Sequence, residues 1–189
     1  TTTFSTITAN ALCNTGMDVA FIIDYTGSMG NEIDAIKSGI TTVISSIITE
    51  SSPNDYRLGL VLADEGPTST PNYATSVEYA ALPVSQRVIN TGLTNWQFIT
   101  AVEMFGTNNT ATFQTQLAKI NTGAPTANWP LGGGVYQPEP TDMAIGLVVE
   151  ANQFLGAFRS GVAKYLIIVT DNLPSGDDDA FNATDVARL

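Results

Sequence analysis

The chain contains no histidine. That absence removes the commonest general base and the commonest metal ligand, so Ser-His-Asp hydrolysis and His-ligated zinc or iron are excluded. Basic residues are scarce as well: 7 Lys and Arg stand against 18 Asp and Glu, a formal net charge of -11. Such a field repels phosphate backbones and anionic lipid, which speaks against nucleic-acid binding and electrostatic membrane attachment and leaves cations as the natural counter-partners. Cysteine occurs once, at Cys13, too few for an internal disulfide or a thiolate metal site; it reads as a small buried or tail hydrophobe. No apolar run approaches the ~20 residues that cross a bilayer, and Thr1-Thr2-Thr3 opens no basic-then-apolar leader. Position 1 is not Met, so the chain is expected to be processed or excised. Charged residues make up only 13% of the 189, about half the usual share, so the surface must be built largely from Thr, Ser, Asn and Gln.

What is present is a strand-helix-strand opening. Met17 to Ile23 is a short apolar, β-rich run ending at Asp24, the pattern of a strand buried on both faces in a parallel sheet. Ile33, Ile36, Ile40, Val43, Ile44, Ile47 and Ile48 then recur three or four apart, the stripe of an amphipathic helix, which the Ser51-Ser52-Pro53-Asn54-Asp55 cluster ends. Tyr56 to Ala63 reads as the second strand of a βαβ unit. Further on, Ser76 to Leu82 and Gln86 to Leu93 read as short strands, and Trp96 to Phe105 fits either a strand or a helix. Thr112 to Ile120 reads as a short helix and Gly132-Gly133-Gly134 as a loop. A helical period runs from Asp142 to Phe158, and Lys164 to Val169 forms another buried-strand pattern leading to Thr170-Asp171. Asp177-Asp178-Asp179 reads as a solvated loop, and the sequons at Asn108 and Asn182 carry little weight. The expected fold is α/β, a doubly wound, mostly parallel sheet flanked by helices and lacking its last elements. Residues 1–16 are read as an extension and 17–189 as the domain.

Two buried strands thus end in Asp, at Asp24 and Asp171, and in open parallel α/β sheets strand ends converge at the crevice where ligands bind. Thr26 and Ser28 follow Asp24 closely, with Gly27 permitting a tight turn. Carboxylate and hydroxyl oxygens are hard ligands, suited to Mg²⁺, Mn²⁺ or Ca²⁺. The bland alternative makes Ser28 a helix N-cap and Thr26 a turn residue.

Asp24-x-Thr26-x-Ser28, the Ile-rich helix, Arg57-Leu58-Gly59, a Pro-Glu loop and Thr170-Asp171 together resemble a von Willebrand factor A domain with its metal-ion-dependent adhesion site. The resemblance implies metal ligands Asp24, Thr26, Ser28, Glu139 and Asp171, direct or through water, with Thr141 as the substitute for Glu139. In integrin β-subunit relatives an adjacent Ca²⁺ site falls where this chain has Asn31 and Glu32; solvated first-turn residues are the competing reading there, and Tyr136 replaces a further Ca²⁺-binding acid. The ion implied is Mg²⁺, with Mn²⁺ or Ca²⁺ as substitutes.

The function expected from these residues is a non-enzymatic, cation-dependent adhesion or protein-interaction domain whose metal receives an Asp or Glu carboxylate of a protein partner. Its expected location is extracellular, on a cell surface or on a virion surface. The alternative is a structural subunit of an appendage or virion that contacts neighbouring subunits. An enzyme using Asp24 as a phosphoryl-accepting nucleophile is disfavoured, because Thr26 stands where the haloacid-dehalogenase pattern has Asp and no phosphate loop exists.

Overall fold

The computed structural model describes residues 16–50, 55–66, 77–90, 96–121, 129–130, 140–149 and 154–171. Strand β1 (Met17–Asp24) is followed by a 3-10 turn (Gly27–Asn31) and helix α1 (Ile33–Glu50), then β2 (Tyr56–Gly66), as the alternation of apolar runs and turn residues predicts. The centre holds α2 (Val77–Ala81), β3 (Arg87–Asn90), β4 (Trp96–Thr107) and α3 (Thr110–Lys119). Two-residue strands β5 (Ile120–Asn121) and β6 (Trp129–Pro130), helix α4 (Thr141–Val149) and β7 (Ala163–Val169) complete the described elements.

Five strands form one sheet in the order β3-β4-β2-β1-β7. β1 pairs in parallel with β2 on one side and β7 on the other. β4 runs antiparallel to both β2 and β3, so four strands point one way and β4 alone points the other. This is a mixed, mostly parallel α/β sheet. Strand alternation divides its side chains between two apolar layers. Val19, Phe21 and Ile23 join Ile33, Ile40 and Ile44 of α1 and Phe113 and Leu117 of α3. Ala20 and Ile22 join Ala144, Ile145 and Val148 of α4. Helices therefore cover both faces, which is why β1 carries apolar side chains in both registers. No helix among the described residues is long and apolar enough to cross a membrane.

Two expectations are corrected and one open alternative is settled. Residues 77–81 are helical and do not form the strand expected for Ser76 to Leu82. Trp96–Thr107 resolves to a strand, paired on both sides. The helix expected to run from Asp142 to Phe158 is not continuous: α4 spans Thr141–Val149, and Phe154 to Phe158 pack as an irregular segment in which Gly156 adopts φ +87, a conformation that no right-handed helix includes. The apolar period persisted because Leu155 and Phe158 still face the core: Phe158 meets Phe105 edge-on, with ring centroids 4.9 Å apart, and the Phe105 amide donates to the Leu155 carbonyl at 2.9 Å.

α1 owes its outer face to hydroxyls. Thr41, Thr42, Ser45, Ser46 and Thr49 each donate to the carbonyl four residues back, at 2.8 to 3.3 Å. At the sheet edge, β7 is paired only with β1 among the described residues. A groove of about 290 Å³ between it and α1 is lined by Met17, Val19, Val43, Ser46, Ile47, Tyr165 and Ile167.

Candidate metal centre

The parallel register sets Asp24 at the carboxyl end of β1, opposite Ala63 of β2. β7 pairs with β1 up to Ile23 and Val169, which brings the next two residues, Thr170 and Asp171, to the same rim. Asp24 is fully buried, Thr26 is buried, and Ser28 and Asp171 are exposed, so the group runs from the interior to solvent.

These residues form one connected set of oxygens. Oδ1 of Asp24 accepts from the Thr26 amide at 3.0 Å and from Thr26 Oγ1 at 2.8 Å. Thr26 Oγ1 lies 3.0 Å from Ser28 Oγ, and Ser28 Oγ donates to Asp171 Oδ1 at 3.3 Å. On the far side of Asp24, Thr170 Oγ1 donates to Oδ2 at 2.9 Å. The capping role considered for these hydroxyls is not what they perform: Thr26 occupies the N-cap position of the 3-10 turn without a side-chain capping bond, and Ser28 lies inside that turn.

Proton counting exposes a shortage. Thr26 and Ser28 carry one hydroxyl proton each, yet they take part in three oxygen-oxygen contacts, with Asp24, with each other and with Asp171. Either hydroxyl can donate across the 3.0 Å contact between them, so two protons serve three contacts and one of these, at 2.8, 3.0 or 3.3 Å, is left without a hydrogen. Among the described residues no Lys or Arg pairs with Asp24, and no three His, Cys, Asp or Glu side chains gather anywhere.

Of the residues singled out from the sequence, Asp24, Thr26, Ser28 and Asp171 come together. Glu139, Tyr136, the glycine loop, Cys13, Asp177 to Asp179 and Asn182 lie outside the described residues. Thr141 is buried at the first position of α4, and its Oγ1 has no hydrogen-bond partner among the described residues. Asn31 and Glu32 are both exposed at the end of the 3-10 turn.

Sequence reasoning missed two features. Thr170 stood in the quoted Thr170-Asp171 pair without a role; its signal was a hydroxyl residue directly before a strand-end carboxylate. Arg57, quoted above only as part of the Arg57-Leu58-Gly59 motif, donates through Nε and Nη2 to the fully buried Asp18. Arg159 reaches the same carboxylate through its backbone amide at 2.7 Å and its Nε at 2.8 Å, and also pairs with Asp55. Burial by itself would raise the Asp18 carboxyl, but the hydrogen bonds from Arg57 and Arg159 and the Arg57 charge outweigh it and hold it below its ordinary 3.8.

No protein-family model matches the chain, and no curated protein matches it. Among solved structures it is similar to the pilus adhesin SpaC from Lactobacillus rhamnosus GG in its open conformation, at TM-score 0.46 and 20% identity over 85% of this chain. The chain spans 15% of that protein's length, and at that degree of likeness neither fold nor function is carried across.

Proposed function

We propose that this chain is a divalent-cation-dependent binding module of the von Willebrand factor A type, doubly wound, with residues 17–189 as the domain and 1–16 as an extension. Asp24, Thr26, Ser28 and Asp171 hold the ion, and Glu139 or Thr141 adds a ligand from the segment leading into α4. One observation carries the reading: the Thr26 and Ser28 hydroxyl oxygens, 3.0 Å apart, join the Asp24 and Asp171 carboxylates in one connected cluster at the sheet rim. In an octahedron with bonds of about 2.0 to 2.1 Å, adjacent ligands are about 2.8 to 3.0 Å apart, the spacing of these two oxygens. The Thr141 hydroxyl, buried and without a hydrogen-bond partner among the described residues, supplies a further oxygen of the right chemistry.

The residues divide the work. Asp24 and Asp171 accept the hydroxyl protons and so turn the oxygen lone pairs of Thr26 and Ser28 inward. Ser28 and Asp171, being exposed, leave the solvent side accessible to an acidic side chain of a protein partner. The bound cation supplies positive charge and an open position on a surface that would otherwise repel such a group. Nothing in this arrangement requires a bond to be made or broken, so we read the domain as non-enzymatic and acting at a cell, extracellular or virion surface.

Calorimetric titration of Mg²⁺, Mn²⁺ and Ca²⁺ into chelator-treated protein, beside Asp24→Ala, tests this. Saturable binding that the variant loses is expected; no binding by the parent chain overturns the reading.

The assembly-subunit alternative has its own observation: Tyr165, at 44% exposure, and Ile168, at 38%, leave apolar surface on the β7 edge. Sedimentation of the chain as defined oligomers, unchanged in Asp24→Ala and dispersed in Tyr165→Lys, would favour it.

A further inference from the structure

β7 is composed like a strand covered on both faces, yet the described residues leave part of it open. From Tyr165 to Val169 every side chain is apolar or aromatic, the composition of a strand with packing above and below. Tyr165 nevertheless remains 44% exposed. It borders the groove of about 290 Å³ that Met17 and Val19 of β1, Val43 and Ile47 of α1, and Ile167 of β7 also line. A groove so apolar calls for an apolar occupant.

Three observations identify that occupant. The first is continuity. Met17, at the amino end of β1, lines the groove and is joined through Gly16 to residues 1–15. The Ala163 amide donates to the Gly16 carbonyl at 3.0 Å, so the chain arrives beside the start of β7. The second is composition. Residues 1–15 carry no charged side chain, in a chain whose net charge is -11, and Ile7, Ala9, Ala11 and Cys13 recur at every second position, the spacing that sets them on one face of an extended strand. The third is reach. Ile167 is in register with Phe21, five positions beyond Gly16 and about 17 Å along a strand. Residues 4–13, if extended, span about 33 Å, and Asn14 with Gly16 supplies turn chemistry for the reversal.

We propose that residues 4–13 fold back from Gly16 and occupy the groove between α1 and β7, burying Ile7, Ala9 and Ala11 against Val43, Tyr165 and Ile167. The docking site is thus served by the chain's own neutral extension. It lies toward the amino end of β1, away from the oxygen cluster at the carboxyl rim, and does not depend on the ion reading.

Amide hydrogen exchange on the full chain at several protein concentrations, read by mass spectrometry beside sedimentation, tests the inference. Residues 4–13 are expected to exchange about 10-fold or more slowly than a free peptide of the same sequence. Val43→Asp places a charge on the lip of the groove, at a side chain already 38% exposed. It is expected to abolish that protection while β1 and β2 stay protected. Ile7→Asp is expected to do the same from the other side of the contact, and it decides the matter where Val43→Asp does not fold. Free-peptide rates in the parent overturn the proposal, as does protection that neither charge disturbs. If Val43→Asp releases residues 172–189 and leaves 4–13 unchanged, the groove belongs to the other end of the chain and the proposal fails. It fails equally if protection appears only at concentrations where the chain sediments as a dimer, which assigns the groove to a second copy.

Discussion

The two ends of β1 solve the same problem in opposite ways. Asp18 and Asp24 share a strand and a face, both are 0% exposed, and they stand six residues apart, about 20 Å along an extended chain. Two of the chain's seven basic side chains converge on Asp18, so its charge is neutralised within the molecule. Asp24 is surrounded by one amide and two hydroxyls, which offer dipoles and no net charge. A buried carboxylate with its counter-charge built in holds structure together; one provided only with dipoles is, on the function proposed above, placed to receive charge from outside.

The largest test of this contrast is Asp18→Ala, which leaves Arg57 without its counter-ion and Arg159 with Asp55 alone; urea denaturation should show a loss of about 3 to 5 kcal/mol. The same carboxylate has a pH signature. Its folded value lies below 3.8, so its contribution is complete above about that pH and disappears as acid carries the folded state through its lowered value. Asp18→Asn should flatten the stability profile in that window while leaving ion binding at the other end intact.

Next in size is the cation itself. At 100 times its dissociation constant, Mg²⁺ should stabilise the parent chain by about 2.7 kcal/mol, read as a rise in the urea midpoint, and should do nothing for Asp24→Ala. That variant should also lose about 1 to 3 kcal/mol without any ion, because the Thr26 amide loses its buried acceptor; the carboxylate is a core group as well as a proposed ligand. Ser28→Ala should move stability least, by less than about 0.5 kcal/mol at an exposed position, yet lower Mg²⁺ affinity measurably by calorimetry. Equal effects of Asp18→Asn and Asp24→Asn on ion binding would erase the distinction between the two ends.

The parts of the molecule legible in the sequence are those whose information is local. β1, α1 and β2 follow from runs of apolar residues at strand and helix spacing, and Asp24, Thr26 and Ser28 lie within five positions of one another. Asp171 was visible because an apolar strand pattern delivers its next residues to the sheet rim, although β7 is partly exposed and not the buried strand expected. What escaped was non-local or ambiguous. Asp18 sat inside an apolar run with no sign of a guanidinium 141 residues away. Residues 77–81 are too short for periodicity to separate helix from strand, and Phe154 and Phe158 kept a helical spacing because packing against the sheet needs apolar side chains in irregular backbone as well. Thr170 needed the ladder between β1 and β7 to reveal which oxygen of Asp24 it touches.

The hydroxyl stripe of α1 changes what its solvent face offers. Each of those five Ser and Thr protons is turned onto the helix's own carbonyls, so water meets mainly oxygen lone pairs and, at the threonines, methyl groups. A face that reads as richly polar in composition is therefore short of donors and nearly free of charge. Its hydration should respond little to ionic strength, even on a protein whose overall charge is -11.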